Sequence, residues 1–169
     1  MAKRSLSVNT LTPTATADTT NIVDSTYFGV VQGGGATQRN VISRALLTGQ
    51  ALTSAPTIML LARDSQVGTG ANTYTAGTTD AALDASTAAL AAPALTGDKW
   101  ATNKPQRSSS LHLLNLSLNC FGGVAHWLAA PGEEITVIGN TASLGEVSLS
   151  CFTGGTPGLM GSTLIYESL

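Results

Sequence analysis

Few side chains in this 169-residue chain have types that carry covalent or metal chemistry: His112 and His126, Cys120 and Cys151, and ten acids. Nucleophilic catalysis needs a Ser or Cys held near a base that a third group orients. No Gly-x-Ser-x-Gly elbow occurs; Cys120 and His126 could in principle make a thiolate pair, but strand parity and the intervening Gly122-Gly123 do not establish that they are close, and ordinary core and surface roles are expected of them. The four Cys and His residues lack the close ligand spacing of a structural zinc site. Glu133 and Glu134 are adjacent, so on a strand they point to opposite faces, and after Pro131-Gly132 they read as turn residues. Asp80 and Asp84 would share one face of a helix, in an Ala-rich polar segment where solvent exposure explains them. Gly33-Gly34-Gly35 has no following Lys-Ser or Lys-Thr and is a turn, not a phosphate loop. No catalytic, metal or cofactor-binding residues are assigned, and no cofactor is expected.

Residues suited to binding are easier to find. Trp100 is the natural interface aromatic, with Tyr74 and the polar loop between them, whereas Trp127 lies in an apolar run and reads as a core anchor. Lys3 and Arg4 stand at the tip of a Thr-, Ser- and Ala-rich segment that contains Leu11 and Pro13. Such a tip can touch an acidic neighbour, although two solvated charges on a frayed terminus is the commoner state. Lys3, Arg4, Leu11, Pro13, Tyr74 and Trp100 are therefore the candidate partner contacts.

The composition narrows the classes. Charged residues make up 11% of the chain and apolar ones 43%, so Thr, Ser, Ala and Gly take the place of charge. Disorder goes with high net charge and low hydrophobicity, which is the opposite balance. A net charge of −2 supplies no global positive field for a polyphosphate backbone, so nucleic acid is not an expected partner. No run approaches the ~20 apolar residues of a bilayer-crossing helix. Met1 to Val8 lacks the apolar core of a secretory signal, and synthesis in the cytoplasm is expected. Cys120 and Cys151 lie in apolar stretches and are expected to be buried thiols.

The elements that must position these residues are short. Apolar runs recur between Gly, Pro, Asn and Ser, which marks strands. Eight are expected: Ile22 to Val31, Val41 to Thr48, Thr57 to Arg63, Leu111 to Cys120, Val124 to Leu128, Glu134 to Ile138, Leu144 to Phe152 and Ser162 to Glu167. In the seventh, Val147, Leu149 and Cys151 alternate with Glu146, Ser148 and Ser150, which predicts a half-buried strand. In the fourth the parity of the leucines changes at Leu113-Leu114, so either a bulge lies there or both faces are covered. Residues 1–20 read as an extended arm and residues 21–169 as one antiparallel β-sandwich domain with a long excursion at about 67–102. Within that excursion Thr79 or Asp80 could cap a short helix running to Leu90, stopped by Pro93.

Three stretches carry a resemblance: Asn119-Cys120-Phe121-Gly122-Gly123, Trp127 to Gly132, and Glu146 to Ser150, with Ile58 to Asp64 upstream and Ile165-Tyr166-Glu167 at the end. Together they resemble the capsid decoration, or cement, proteins of tailed bacteriophages, over the region from Tyr27 to the C-terminus. The resemblance implies a jelly-roll-like β-sandwich on the outside of a virion, bound to the major capsid protein as a small homo-oligomer, a trimer ahead of a dimer. It also implies a structural protein without catalysis. Two other readings fit the residues: a host-surface or carbohydrate-binding module displayed on the virion through Trp100 and Tyr74, and a shell-forming jelly-roll capsid protein.

Overall fold

A computed structural model describes residues 3–11, 27–32, 39–66, 72–73, 78–84, 96–97, 99–100, 106–138, 145–152 and 158–169. The strands in chain order are β1 (Lys3–Leu11), β2 (Tyr27–Gln32), β3 (Arg39–Gly49), β4 (Pro56–Gln66), β5 (Asn72–Thr73), β6 (Thr78–Ala82) and β7 (Thr96–Gly97). They continue with β8 (Lys99–Trp100), β9 (Gln106–Asn119), β10 (Val124–Leu128), β11 (Ile135–Ile138), β12 (Glu146–Phe152) and β13 (Met160–Ser168). All pairings are antiparallel. One sheet runs β10-β3-β13-β1-β6, with β11 also on β3; a second runs β7-β2-β12-β4-β9; β5 and β8 form a separate ribbon.

A single apolar cluster joins the two sheets. Ile42, Leu47, Leu164 and Tyr166 come from the first, and Met59, Leu61, Leu116 and Leu149 from the second. Most of these side chains are fully buried. Each large aliphatic one contributes about 1.5–3 kcal/mol by leaving water, and together they hold the layers face to face in a sandwich-like all-β fold.

Two irregularities keep the long strands facing that core. In β3, Asn40 and Ile42 are buried, and so are Ala45 and Leu47, so the alternation slips one residue between the pairs. The slip coincides with a register shift against β13, where Ile165 stands opposite Arg44 and Tyr166 opposite Ile42, leaving Ser43 as the extra residue. At that point the neighbour on the other side changes from β11 to β10, and the Ser43 carbonyl accepts the Ala129 N–H at 2.9 Å. In β9, Leu114 pairs with Leu61 but His112 with Ala62, so Leu113 is the extra residue. The change of leucine parity is thus a bulge.

Each of the eight expected strands overlaps an observed one. Residues 22–26 of the first lie outside the described residues, as do residues 12–20 of the expected arm. Three expectations are corrected. Lys3–Leu11 is not an arm: β1 lies inside the first sheet, hydrogen-bonded to β13 on one side and β6 on the other. Its partners are the last residues of the chain, and sequence patterning over nine residues carries no trace of so distant a pairing. The expected helix is replaced over Thr78–Ala82 by strand β6, because pairing with β1 overrides the modest helix preference of alanine; residues 85–95 lie outside the described residues. Finally, β12 is not half buried. Glu146, Ser148 and Ser150 are as inaccessible as Val147 and Leu149, since a strand central in its sheet can have both faces covered.

Candidate functional site

Among the described residues, the catalytic candidates read from the sequence are spread over different elements. Cys120 is fully buried just beyond β9, its Sγ 3.2 Å from the Thr57 hydroxyl, to which it donates. His126 is exposed on β10, where it alternates with Ala125 and Trp127, the two residues that pack against the core. The thiol is therefore buried in the core, whereas the imidazole is exposed. His112 is exposed on β9, in the other sheet. Glu133 and Glu134 occupy the β10–β11 turn; the Gly132 N–H donates to Glu134 Oε2 at 2.9 Å and the Glu133 N–H to the Ala130 carbonyl at 2.9 Å. Asp80 is in β6, and Asp84 is exposed beyond its end, so the shared helix face does not exist. Gly33, Gly34 and Gly35 lie outside the described residues. Among the described residues no group of three or more His, Cys, Asp or Glu is placed to hold a metal ion.

Among the described residues, a polar cluster with high burial is in the second sheet. Asp64 of β4 is fully buried, and its Oδ1 accepts the Ser148 hydroxyl of β12 at 2.6 Å. A hydroxyl donating to a carboxylate at that length is a strong, charge-assisted hydrogen bond. Glu146 and Ser150 are buried on the same strand. The pair ties β4 to β12. The alternation Glu146, Ser148, Ser150 signalled a polar face; polarity alone does not distinguish a wetted face from a covered, hydrogen-bonded one.

The candidate contacts are spread over the molecule. Lys3 and Arg4 are consecutive in β1, opposite Glu167 and Tyr166 of β13; Lys3 is exposed, and its carbonyl accepts the Leu83 N–H at 2.9 Å. Leu11 closes β1 opposite Met160. Trp100 ends β8, in register with Asn72 of β5. Tyr74 and Pro13 lie outside the described residues.

Residues missed in the sequence form an apolar end instead. The β3–β4 loop and the β9–β10 corner are laced together by Gly49 N–H to the Gly123 carbonyl at 2.8 Å, Ala51 N–H to the Cys120 carbonyl at 2.9 Å, and Cys120 N–H to the Ala55 carbonyl at 2.9 Å. Asn119 adds its side chain: Oδ1 accepts the N–H groups of Ala55 and Phe121, both at 3.0 Å, and Nδ2 donates to Ser54 Oγ at 2.9 Å. A side chain on Gly123 would run into the Asn119 carbonyl oxygen, and Gly122 has φ +70°, so this corner is built around its two glycines. The lacing holds Leu52 at 93% exposure, Phe121 at 60% and Val124 at 65%, with Leu128 at 65% farther along β10. Large apolar side chains held out on a fixed scaffold are equipped for contact with another surface. An open groove lined by Pro56, Ile58, Ser117 and Asn119 adjoins them. Compared with known proteins, the chain matches no family model, no curated protein and no solved structure.

Proposed function

We propose that this chain is a virion structural protein, a capsid decoration or cement protein that binds the outer surface of a phage head and strengthens contacts between capsid subunits. The observation that supports the reading most is the rigid apolar end: Leu52, Phe121 and Val124 stand exposed on a corner fixed by backbone and Asn119 hydrogen bonds. A chain with 11% charged residues has little else with which to keep such an end in water, and covering it by a partner resolves the conflict. Many weak contacts repeated over a symmetric shell act together through effective concentration, which stabilises a lattice without any chemical step. On this reading the fold is a jelly roll, the partner is the major capsid protein, and the chain works as a homo-oligomer on the capsid exterior.

Particles carrying the chain and particles stripped of it are compared by scanning calorimetry. The cementing role requires the shell transition to fall by several degrees on stripping and to recover when purified protein is added back. An identical transition in the two preparations overturns it, and recovery with a Phe121→Asp, Val124→Asp double variant overturns the part given to the apolar end.

A further inference from the structure

We propose that a second copy of this chain docks on the outer face of the first sheet, where β3 meets the β10–β11 turn, about a two-fold axis that sets Arg44 of each copy against Glu133 of the other. Ala45 and Leu47 of β3 and Leu164 of β13 turn into the core, so Arg44 and Ile165 stand on the opposite, outer face. In register Arg44 lies between Leu128 of β10 and Ile165, with aliphatic residues on both sides. It is half-buried, and its Nε is shut from water without a hydrogen-bond partner. A charged group partly withdrawn from water in this way is stabilised by an acceptor. Glu167, the acid of the same face, has Lys3 opposite it in register.

Charge complementarity selects the occupant. From Ser108 to Gly132 there is no Asp, Glu, Lys or Arg, so β10 brings no charge of its own, and the first charges after it are Glu133 and Glu134 of the turn. The turn stays beside Arg44: Leu128 pairs with Arg44, the Ala129 N–H donates to the Ser43 carbonyl, and Ile135 returns opposite Ile42. Glu134 Oε2 accepts the Gly132 N–H, whereas the Glu133 side chain is exposed. Among the described residues neither Arg44 nor Glu133 forms an ion pair. A cation and a carboxylate that stand along one edge without pairing to each other make a surface complementary to itself. In an isologous contact the first residue of one copy meets the second of the other and the reverse holds too, so one arrangement forms both ion pairs. A partner of a single charge sign would match one of the two groups and oppose the other. Leu128, 65% exposed and not among the residues given to the capsid contact above, covers the pairs with apolar surface. A two-fold contact makes a dimer, where the resemblance led to a trimer. The inference concerns the chain in solution and stands whether or not that chain coats a capsid.

Sedimentation velocity of the purified chain across the micromolar range provides the test. The unaltered protein is expected as a dimer that weakens as sodium chloride rises, because the pairs lie at a solvent-facing edge. Glu133→Arg and Arg44→Glu should each weaken association by roughly tenfold or more, since each turns two attractions into two repulsions. The double variant Arg44→Glu, Glu133→Arg exchanges the charges and should restore the dimer. Circular dichroism melts check that each variant is folded; should the change within β3 unfold the chain, Glu133→Arg, in an exposed turn, decides alone. A chain that stays monomeric overturns the proposal. So does a dimer that Glu133→Arg leaves intact, and so does a folded double variant that stays monomeric.

Discussion

At the scale of single residues, the Ser148 hydroxyl and the Asp64 carboxylate carry the strongest local constraint. The 2.6 Å bond joins neighbouring strands in a place closed to water, so removing the donor leaves a buried anion short of one partner. Ser148→Ala is expected to cost about 1.5–3 kcal/mol, measured as a lowered urea midpoint with unchanged slope. Ser117→Ala, on an exposed position, serves as the comparison and should stay within about 0.5 kcal/mol. The residue types at this clamp were legible in the sequence, its burial was not. Alternation places Ser148 on the face opposite Leu149, but only the assembled sheets decide whether that face is wet.

At the scale of elements, local pattern and long-range pairing divide the fold between them. Strands β2, β3, β4, β9, β10, β11, β12 and β13 were visible because each carries an apolar run bounded by turn residues. The irregularity at Leu113 was visible as a parity change with two possible causes, a bulge or cover on both faces, and the register against β4 decides for the bulge. Strands β1 and β6 were not visible: their sequences, KRSLSVNTL and TTDAA, hold too little apolar periodicity, and what makes them strands is each other and β13. This bears on experiments with the N-terminus. Deletion of Met1 to Leu11 would be a mild change to a loose arm, but here it removes a strand from between two others, taking from β6 its neighbour in the sheet and leaving β13 with β3 alone. The expected outcome is loss of the cooperative thermal transition in circular dichroism, since total domain stability is only about 5–15 kcal/mol. A truncated chain that melts sharply near the full-length temperature contradicts the role given to β1. Any binding defect of such a truncation therefore reports folding first.

At the scale of the whole molecule, two sheets share one apolar core, while acids and hydroxyls close off the far side of β12 and a rigid corner pushes leucine, valine and phenylalanine outward. Of the candidate contacts read from sequence, Lys3, Arg4 and Leu11 belong to a sheet interior and Trp100 to a short ribbon. The exposed apolar end went unnoticed because Phe121, Val124 and Leu128 sit in runs that read as core. Which member of such a run turns outward is fixed by where its strand ends up in the sheet, and β10 ended up at an edge.

The absence of formal charge between Ser108 and Gly132 has a further consequence, for solution behaviour. Sodium chloride acts on protein contacts mainly by screening charge. Binding to particles through this run gives it almost nothing to screen, so occupancy on particles should stay constant from low salt to well above physiological ionic strength. Ammonium sulfate, which strengthens apolar burial through exclusion from protein surfaces, should raise occupancy further. Release by sodium chloride would mean that ion pairs elsewhere on the chain hold it to the shell.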